Sequence, residues 1–386
     1  MPGPSGRLPF AALILLIGIN LRPSLASIGP LLDQIQRDTG LDDTSASLLT
    51  SLPVLLMGLC LLGTGRVQAT LGRRGGVAAG LAALAFAGLA RWLWPTVPAL
   101  LASAVVGGVG IAVVQALMPA IIRERAGAQT AMLMGFYSTA IMGGAALASF
   151  AAPRLALAHG WAAGTGVWAL PALVGLMVWW RAMGNLGQPA SVRTASMVSR
   201  NSRSWLLLSF FGLGTGAYTL VLAWLPPYYT GLGWSAQNAG ALLSALTIAE
   251  VAAGTGVALA VDRFPDRRPL MLLAAGTLFV GLLCLAFAPL ALSWLAALLC
   301  GLGIGALFPL GLIVAMDHGT DAVEAGQIAG FVQGGGYVLA AFLPLIAGVL
   351  RQHLADLAPA WWLMAALCLV LALIAVRLRP GARITS

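Results

Sequence analysis

The sequence predicts an all-α membrane protein in which twelve transmembrane helices form two six-helix repeats. Three observations lead to this fold class: the composition, the spacing of the apolar segments, and the similarity between the two halves of the chain. Of the 386 residues, 60% are hydrophobic and only 9% are charged, and the mean hydropathy is +0.93. Because a soluble domain carries roughly 25% charged residues, most of this chain's surface must face lipid.

Apolar segments of transmembrane length follow one another along the whole chain. A helix needs roughly 20 residues to cross a bilayer core of about 30 Å, and it satisfies its own backbone hydrogen bonds there. The only long polar connection is residues 184–203, so we predict an N-terminal bundle (1–183), a cytoplasmic linker (184–203) and a C-terminal bundle (204–386). The predicted spans are residues 8–31, 45–69, 75–95, 97–122, 129–153, 161–183, 204–230, 236–260, 269–288, 291–316, 324–350 and 359–378.

The distribution of arginine predicts the orientation. All 21 basic residues are arginine, and positive charge accumulates in cytoplasmic loops. With both termini in the cytoplasm, sixteen arginines lie on that side, and the four on the outer side are Arg37, Arg91, Arg154 and Arg351. We therefore predict a multi-pass protein of the bacterial inner membrane. The net charge of +9 follows from this topology and does not indicate binding to nucleic acid.

The two halves of the chain align at a nearly constant offset. Residues 48–50 match 242–244 and residues 73–74 match 267–268, both at an offset of 194, while 135–136 match 330–331 at 195. Two parallel six-helix repeats with a site between them at the middle of the bilayer are typical of major-facilitator transporters.

Arg22 is the most informative residue in the sequence because it lies inside the first apolar segment, directly before Pro23. Proline cannot donate a backbone hydrogen bond and clashes with the carbonyl group four residues earlier, so the helix should kink here. A guanidinium offers planar paired donors that suit a small anion. We expect Arg22 to bind an anion that Asn20 helps to orient. The alternative is that Arg22 snorkels outward or ties neighbouring helices together.

Glu250 is the second ionisable residue deep within an apolar segment, near the middle of the eighth span. Charged groups at this depth are costly and therefore indicate function. We expect Glu250 to carry the proton that drives transport. The alternative is a protonated, hydrogen-bonded glutamate that only packs between helices.

Further polar and aromatic residues in the spans are candidates to complete a pocket, although packing explains each of them equally well. They are Gln115, Tyr137, Tyr218, Trp224, Gln333 and Tyr337. No metal site or cofactor is expected, because the four cysteines lie inside apolar segments without metal-ligand spacing. The three histidines are scattered, which argues against an enzyme active site.

The connection after the second span resembles a loop pattern of the major-facilitator family. Residues 65–74 keep its glycines and its two final arginines, but Ala69 and Thr70 replace the usual Asp-Arg pair, which the second half retains as Asp262-Arg263. In that fold spans two and eleven abut, as do spans five and eight. The resemblance therefore implies a cytoplasmic gate of ion pairs between the halves, unless these are ordinary solvated loop charges. Its members would be Arg73, Arg74, Arg123, Arg125, Asp262, Arg263, Asp266, Asp317, Asp321 and Glu324.

Over nearly its whole length the chain resembles a major-facilitator branch, the bacterial cyanate permease and 2-nitroimidazole transporter family, and is more similar to its cyanate-permease side. The residues that carry this resemblance are 20–23 with 28–32, 107–111 with 115–119, 134–138 with 142–144, 223–226, 301–305 with 308–310, and 333–334. The resemblance implies a transporter and makes a small anionic substrate plausible.

We therefore expect a monomeric, proton-coupled symporter of a cyanate-like anion that works by rocking of its two bundles. A drug:proton antiporter that exports small aromatics such as nitroimidazoles is the main alternative. A receptor that keeps the transporter fold without transport is a further one.

Overall fold

A computed structural model describes residues 10–183, 201–319 and 322–379. The predicted linker therefore lies largely outside the described residues, as does Asp321. The described part of the chain is helical almost throughout, and successive spans run in opposite directions. We call the end of the bundle that carries Arg73, Arg123 and Arg267 the basic end, and the end that carries Arg37 and Arg351 the opposite end.

The first six spans comprise nine α-helices because the first span is divided into three helices and the second into two. The helices are α1 (Phe10–Ile19), α2 (Pro23–Ala26), α3 (Leu32–Thr39), α4 (Asp43–Leu62), α5 (Thr64–Leu71), α6 (Arg73–Leu93), α7 (Val97–Ala126), α8 (Thr130–Gly166) and α9 (Ala169–Ala182). Gly160 interrupts α8 with a φ of 78° and a ψ of 166°, which only glycine adopts readily. This break separates the fifth span from the sixth, so the predicted boundary between them is confirmed.

The last six spans comprise seven helices, with one interruption at Ala341 in the eleventh span. They are α10 (Ser202–Gly231), α11 (Ala236–Ala260), α12 (Arg268–Phe287), α13 (Ser293–Asp317), α14 (Ala322–Ala340), α15 (Phe342–Leu354) and α16 (Ala358–Arg377). Eleven helical segments of the described chain are long and apolar enough to cross a membrane, and Ala169–Ala182 is a shorter apolar helix. The predicted fold class is thus confirmed.

Two predicted boundaries need correction. The first span was expected to end at residue 31, but the chain continues as helix α3. Because α3 contains several charged residues, a prediction based on hydropathy leaves it out of the span. It stops at Gly40, which has a left-handed φ of 72°. The second span was expected to continue to residue 69, but α4 ends at Leu62 and α5 begins after Gly63.

The halves meet along two helix pairs, and glycines allow the close approach. Helix α4 packs against α14 and α15, and α8 packs against α11, which are the neighbours that the family resemblance implied. A Cβ atom on Gly58 would lie 2.6 Å from the carbonyl oxygen of Gly334. Likewise, a Cβ atom on Gly240 would overlap the carbonyl oxygen of Ser149. Small residues let membrane helices approach in this way.

The expected kink in the first span is a full break. Helix α1 ends at Ile19, the short helix α2 begins at Pro23, and residues 29–31 form a 3-10 turn before α3. Pro23 has no amide hydrogen for the carbonyl group of Ile19. On the other side of this carbonyl, Gly144 of α8 lies so close that any side chain there would overlap the oxygen atom.

This contact yields a test with adjacent glycines. We expect Gly144→Ala to destabilise the protein by roughly 1–3 kcal/mol, because its methyl group would collide with rigid backbone. A Cβ atom on Gly143 would meet only open space, so Gly143→Ala provides the matched control. Thermal unfolding in detergent measures both variants. Equal stability of the two would contradict the proposed packing of α8 on the break.

Candidate functional site

Arg22 points into the protein. The residue is only 3% exposed, and it immediately precedes α2 at the helix break. Its Nη1 atom lies 3.9 Å from the sulfur atom of Met57 in α4, and its Cζ atom lies 5.3 Å from the ring centroid of Tyr218 in α10. A side chain that snorkelled to the membrane surface would be exposed, so outward snorkelling is excluded. The guanidinium instead faces the second half of the chain. The contacts with α4 and α10 are compatible with the other alternative, that Arg22 ties neighbouring helices together.

Three tyrosines from both halves surround this cation. Tyr137 of α8, Tyr218 of α10 and Tyr337 of α14 are each buried and each interact electrostatically with Arg22. Tyr337 also interacts with the side chain of Gln333, one helical turn earlier. The structure therefore brings together five of the eight residues predicted for the substrate site: Arg22, Tyr137, Tyr218, Gln333 and Tyr337.

Glu250 belongs to the same cluster. It is 4% exposed, interacts electrostatically with Arg22 and Tyr218, and has no hydrogen-bond partner for either carboxyl oxygen within the described chain. The hydrogen bond expected for a purely structural glutamate is thus not found among the described residues, and the role of Glu250 in coupling stays a prediction. A Cβ atom on Gly305 would overlap the backbone of Glu250, so α13 packs closely on α11 at the residue that carries this carboxyl group.

Several hydrogen-bond donors of the cluster lack a partner within the described chain, as do both carboxyl oxygens of Glu250. The Nε atom of Arg22 and the hydroxyl groups of Tyr137 and Tyr218 are buried and have no partner within the described chain. Buried polar groups normally have partners, so several unpaired donors around one cation are uncommon. Such an arrangement is suited to binding a small anion, which supplies acceptors and negative charge together.

The other three predicted site residues have no described contact with Arg22. The Nδ2 atom of Asn20 donates to the carbonyl group of Leu16 over 2.6 Å and faces Gly175 of α9, inside the first half. Trp224 is fully buried and donates to the carbonyl group of Pro344 over 2.9 Å. Gln115 lies in α7 with a buried, unpaired Oε1 atom, and none of its described contacts reaches Arg22.

At the basic end, the described contacts of Arg73, Arg74, Asp266 and Asp317 differ from the predicted ion pairs between the halves. Arg73 pairs with Glu124, and Arg74 stacks on Trp180 with its Cζ atom 4.5 Å from the ring centroid. In the second half, Arg267 lies 3.3 Å from Asp317 and Arg268 lies 2.8 Å from Asp266. Each of these contacts stays within one half. Of the other predicted gate residues, Arg123, Arg125, Asp262 and Arg263 are exposed.

The halves are instead joined by charge at the opposite end. Arg351 of α15 lies 3.5 Å from Asp33 of α3 and 3.6 Å from Asp43 of α4, and its Cζ atom lies 5.4 Å from the ring centroid of Trp224. The amide group of Thr44 donates to the side chain of Gln352 over 3.1 Å beside this cluster. The structure is therefore closed by polar contacts between the halves at this end.

Sequence reasoning missed the contacts of Met57 with Arg22 and of Arg351 with Asp33 and Asp43. Met57 carries no polar signal that could have marked it. Asp33 and Asp43 did carry a polar signal, because both lie on the side of the membrane that was predicted for Arg351. Acids and an arginine on the same side are candidates for pairing. The prediction instead followed the family loop pattern, which points to the basic end.

Twelve spans, paired repeats and a buried polar cluster between them define the class of membrane transporters with two helical bundles. A family profile of the Major Facilitator Superfamily matches residues 10–320, and a second match covers residues 206–385. The chain belongs to this superfamily. It is a multi-pass membrane transporter and not an enzyme.

Curated relatives include two transporters from Escherichia coli (strain K12). The chain is 39% identical to the cyanate transport protein CynX over 375 residues, which cover 95% of this chain and 96% of the relative. It is 32% identical to a 2-nitroimidazole transporter over 358 residues, 90% of this chain and 89% of that one. The predicted family, with greater similarity to its cyanate-permease side, is confirmed.

Solved structures agree in fold at low sequence identity. A D-xylose–proton symporter matches with a TM-score of 0.79 and 18% identity, covering 98% of this chain and 99% of that chain. A bacterial homologue of the human lysosomal transporter Spinster, in an inward-facing and unoccupied conformation, matches with a TM-score of 0.79 and 13% identity, covering 98% and 100%. These similarities establish the fold alone.

The contacts of Arg351 predict how the opposite end responds to their loss. Arg351→Gln removes the only described charge that joins Asp33 and Asp43 to the second half, so we expect this end to open more often. Partly exposed ion pairs contribute up to about 1 kcal/mol each, which corresponds to a roughly fivefold shift in population. Spin labels at Arg37 and His353, in a variant whose cysteines are replaced, would report a longer distance between the halves.

The matched control for this experiment is Arg154→Gln. Arg154 is an exposed arginine of α8, and its Nη1 atom donates to the carbonyl group of Phe150 in the same helix. Its loss should leave the label distance unchanged. An unchanged distance in Arg351→Gln as well would contradict a role of this ion pair in closure.

Proposed function

We propose that this protein is a secondary transporter that carries cyanate, or an anion of similar size and charge, across the bacterial inner membrane together with a proton. The observation that carries this proposal is the buried Arg22 cation at a helix break, surrounded by polar groups from both halves of the chain. The similarity to a cyanate transport protein supports the choice of anion.

Anion binding follows from the surroundings of Arg22. Its guanidinium is permanently charged and presents several N–H donors in one plane, and the tyrosine hydroxyl groups beside it add donors without adding charge. A small anion between them would gain strong, charge-assisted hydrogen bonds. A larger neutral solute carries no charge that would compensate the cation for its lost hydration, so the cluster should bind it less tightly than a small anion.

Proton coupling follows from the position of Glu250 in the field of Arg22. An ionised Glu250 compensates the arginine from within the protein and therefore weakens the attraction for an incoming anion. A proton on Glu250 removes this competition, so the anion and the proton favour each other's binding. This reciprocity is the thermodynamic requirement for symport.

Alternating access follows from the contacts between the halves. We infer that the two bundles, residues 1–183 and 204–386, rock about the Arg22 cluster and act as a monomer. The arginine asymmetry supports a cytoplasmic position for both termini, in which case the opposite end is the outer face. The contacts of Arg351 then close the outer face while the basic end gives access to the cytoplasm.

The first functional prediction concerns Arg22. Arg22→Ala should reduce the uptake of radiolabelled cyanate into proteoliposomes by roughly 100-fold, because it removes the only charge that attracts the anion within the cluster. Arg22→Lys should keep a measurable fraction, since it keeps the charge but loses the planar arrangement of donors. Arg154→Ala removes an exposed arginine and serves as the control.

Uptake at the wild-type rate by Arg22→Ala would rule out anion binding by this cluster. The same proteoliposomes should be tested with 2-nitroimidazole, since one relative carries that name. Transport of the nitroimidazole without any requirement for Arg22, together with no cyanate uptake, would favour the drug:proton antiporter instead.

The second functional prediction concerns Glu250. Glu250→Gln imitates the protonated side chain, so we expect it to abolish cyanate accumulation driven by a pH gradient. Exchange of internal for external cyanate needs no net proton movement and should continue at a rate within about threefold of wild type. Glu124→Gln removes a carboxylate that pairs with Arg73 at the basic end and is the matched control. Accumulation that still follows the pH gradient in Glu250→Gln would exclude Glu250 as the coupling residue.

A further inference from the structure

Arg91 is a second buried arginine. The arginine count assigned it to the outer side, but the residue is only 1% exposed, two positions before the end of α6. Placing a guanidinium inside an apolar bundle is costly unless its donors find acceptors. Arg91 takes part in none of the ion pairs of the described chain, so its acceptors must be uncharged groups.

These acceptors belong to two other helices of the first half. The Nη1 atom of Arg91 donates to the carbonyl group of Ser24 over 2.6 Å, and its Nε atom donates to the hydroxyl group of Ser103 over 2.8 Å. Ser103 in turn donates to the carbonyl group of Leu100 over 2.6 Å. One side chain of α6 thus connects α2 with α7.

The carbonyl group of Ser24 is available because the first span is broken. In a continuous helix it would accept from the amide group of Ile28, but that amide group donates to Leu25 instead. The neighbouring amide group of Ser27 donates to Pro23. Arg91 therefore supplies a strong, charge-assisted hydrogen bond to the segment that begins directly after Arg22.

We propose that Arg91 is a positioning residue that holds the α2 segment in place and thereby sets the position of the Arg22 guanidinium. As far as it concerns anion affinity, this inference rests on the proposed function. Arg91 touches neither Arg22 nor its tyrosine neighbours among its described hydrogen bonds, so its effect must pass through the backbone of residues 22–24. Lysine cannot replace it fully, because one ammonium group lacks the rigid fork that reaches two acceptors in different helices.

The test compares Arg91→Gln and Arg91→Lys with wild-type protein in lipid nanodiscs and proteoliposomes. We expect amide hydrogen exchange at residues 25–28 to accelerate by about tenfold or more in Arg91→Gln, because a hydrogen bond to a charged group is lost. Exchange in α12 and α13, which lie in the other half, should not change. Arg154→Gln, which removes an exposed arginine, should change neither region.

Transport provides the second readout. A displaced Arg22 should raise the KM for cyanate about tenfold while the maximal rate stays within about twofold, whereas a loss of folded protein lowers the rate and leaves KM unchanged. Arg91→Lys should lie between Arg91→Gln and wild type in both exchange and KM. If Arg91→Gln cannot be recovered folded, Arg91→Lys, which keeps the charge, carries the same comparison.

Unchanged exchange at residues 25–28 would overturn the inference, and so would faster exchange throughout the protein with an unaltered KM. If wild-type protein takes up no cyanate, the proposed function fails, and the exchange measurement alone then decides whether Arg91 holds the segment that carries Arg22. A selective acceleration at residues 25–28 would still support the positioning role in that case.

Discussion

A permanent positive charge inside an apolar bundle is the constraint on which the site depends. Arg22 cannot lose its charge, and burial removes its hydration, so the surrounding protein must supply compensation. Pro23 breaks the first helix at this point and turns the guanidinium towards the second half. The groups around it are tyrosines and one carboxyl group that forms no direct pair with it. The compensation within the protein is therefore indirect, which is the physical basis for the proposed anion site.

The same constraint explains why backbone geometry matters beyond the site itself. A broken helix leaves carbonyl groups without amide donors, and in an apolar environment each of these needs another arrangement. Gly144 lets α8 pack tightly against the carbonyl group of Ile19, to which Pro23 cannot donate, while the carbonyl group of Ser24 accepts a hydrogen bond from Arg91. Elements of the first half thus stabilise the break from two sides, and they hold Arg22 at the boundary with the second half.

The two ends of the bundle use their charges differently. At the basic end, arginines pair with carboxylates or aromatic rings of their own half, whereas Arg351 at the opposite end pairs with two carboxylates of the other half. Contacts within one half keep their geometry when the halves move, but contacts between halves must break. In the proposed rocking motion, the contacts of Arg351 with Asp33 and Asp43 would therefore be the ones that break, and in this structure they are formed.

The sequence by itself determined the membrane class and the succession of spans, and it singled out Arg22 and Glu250 as the two strongest candidate site residues. Hydropathy and the cost of buried charge are properties of short segments, so they can be read without knowing which helices are neighbours. The tertiary structure alone decided that Tyr137, Tyr218 and Tyr337 meet at Arg22 while Asn20 and Trp224 turn elsewhere, and that Arg351 and not Arg73 joins the halves. In a span that is apolar on all sides, periodicity does not indicate which face turns inward, because packing between distant segments sets the rotation of each helix.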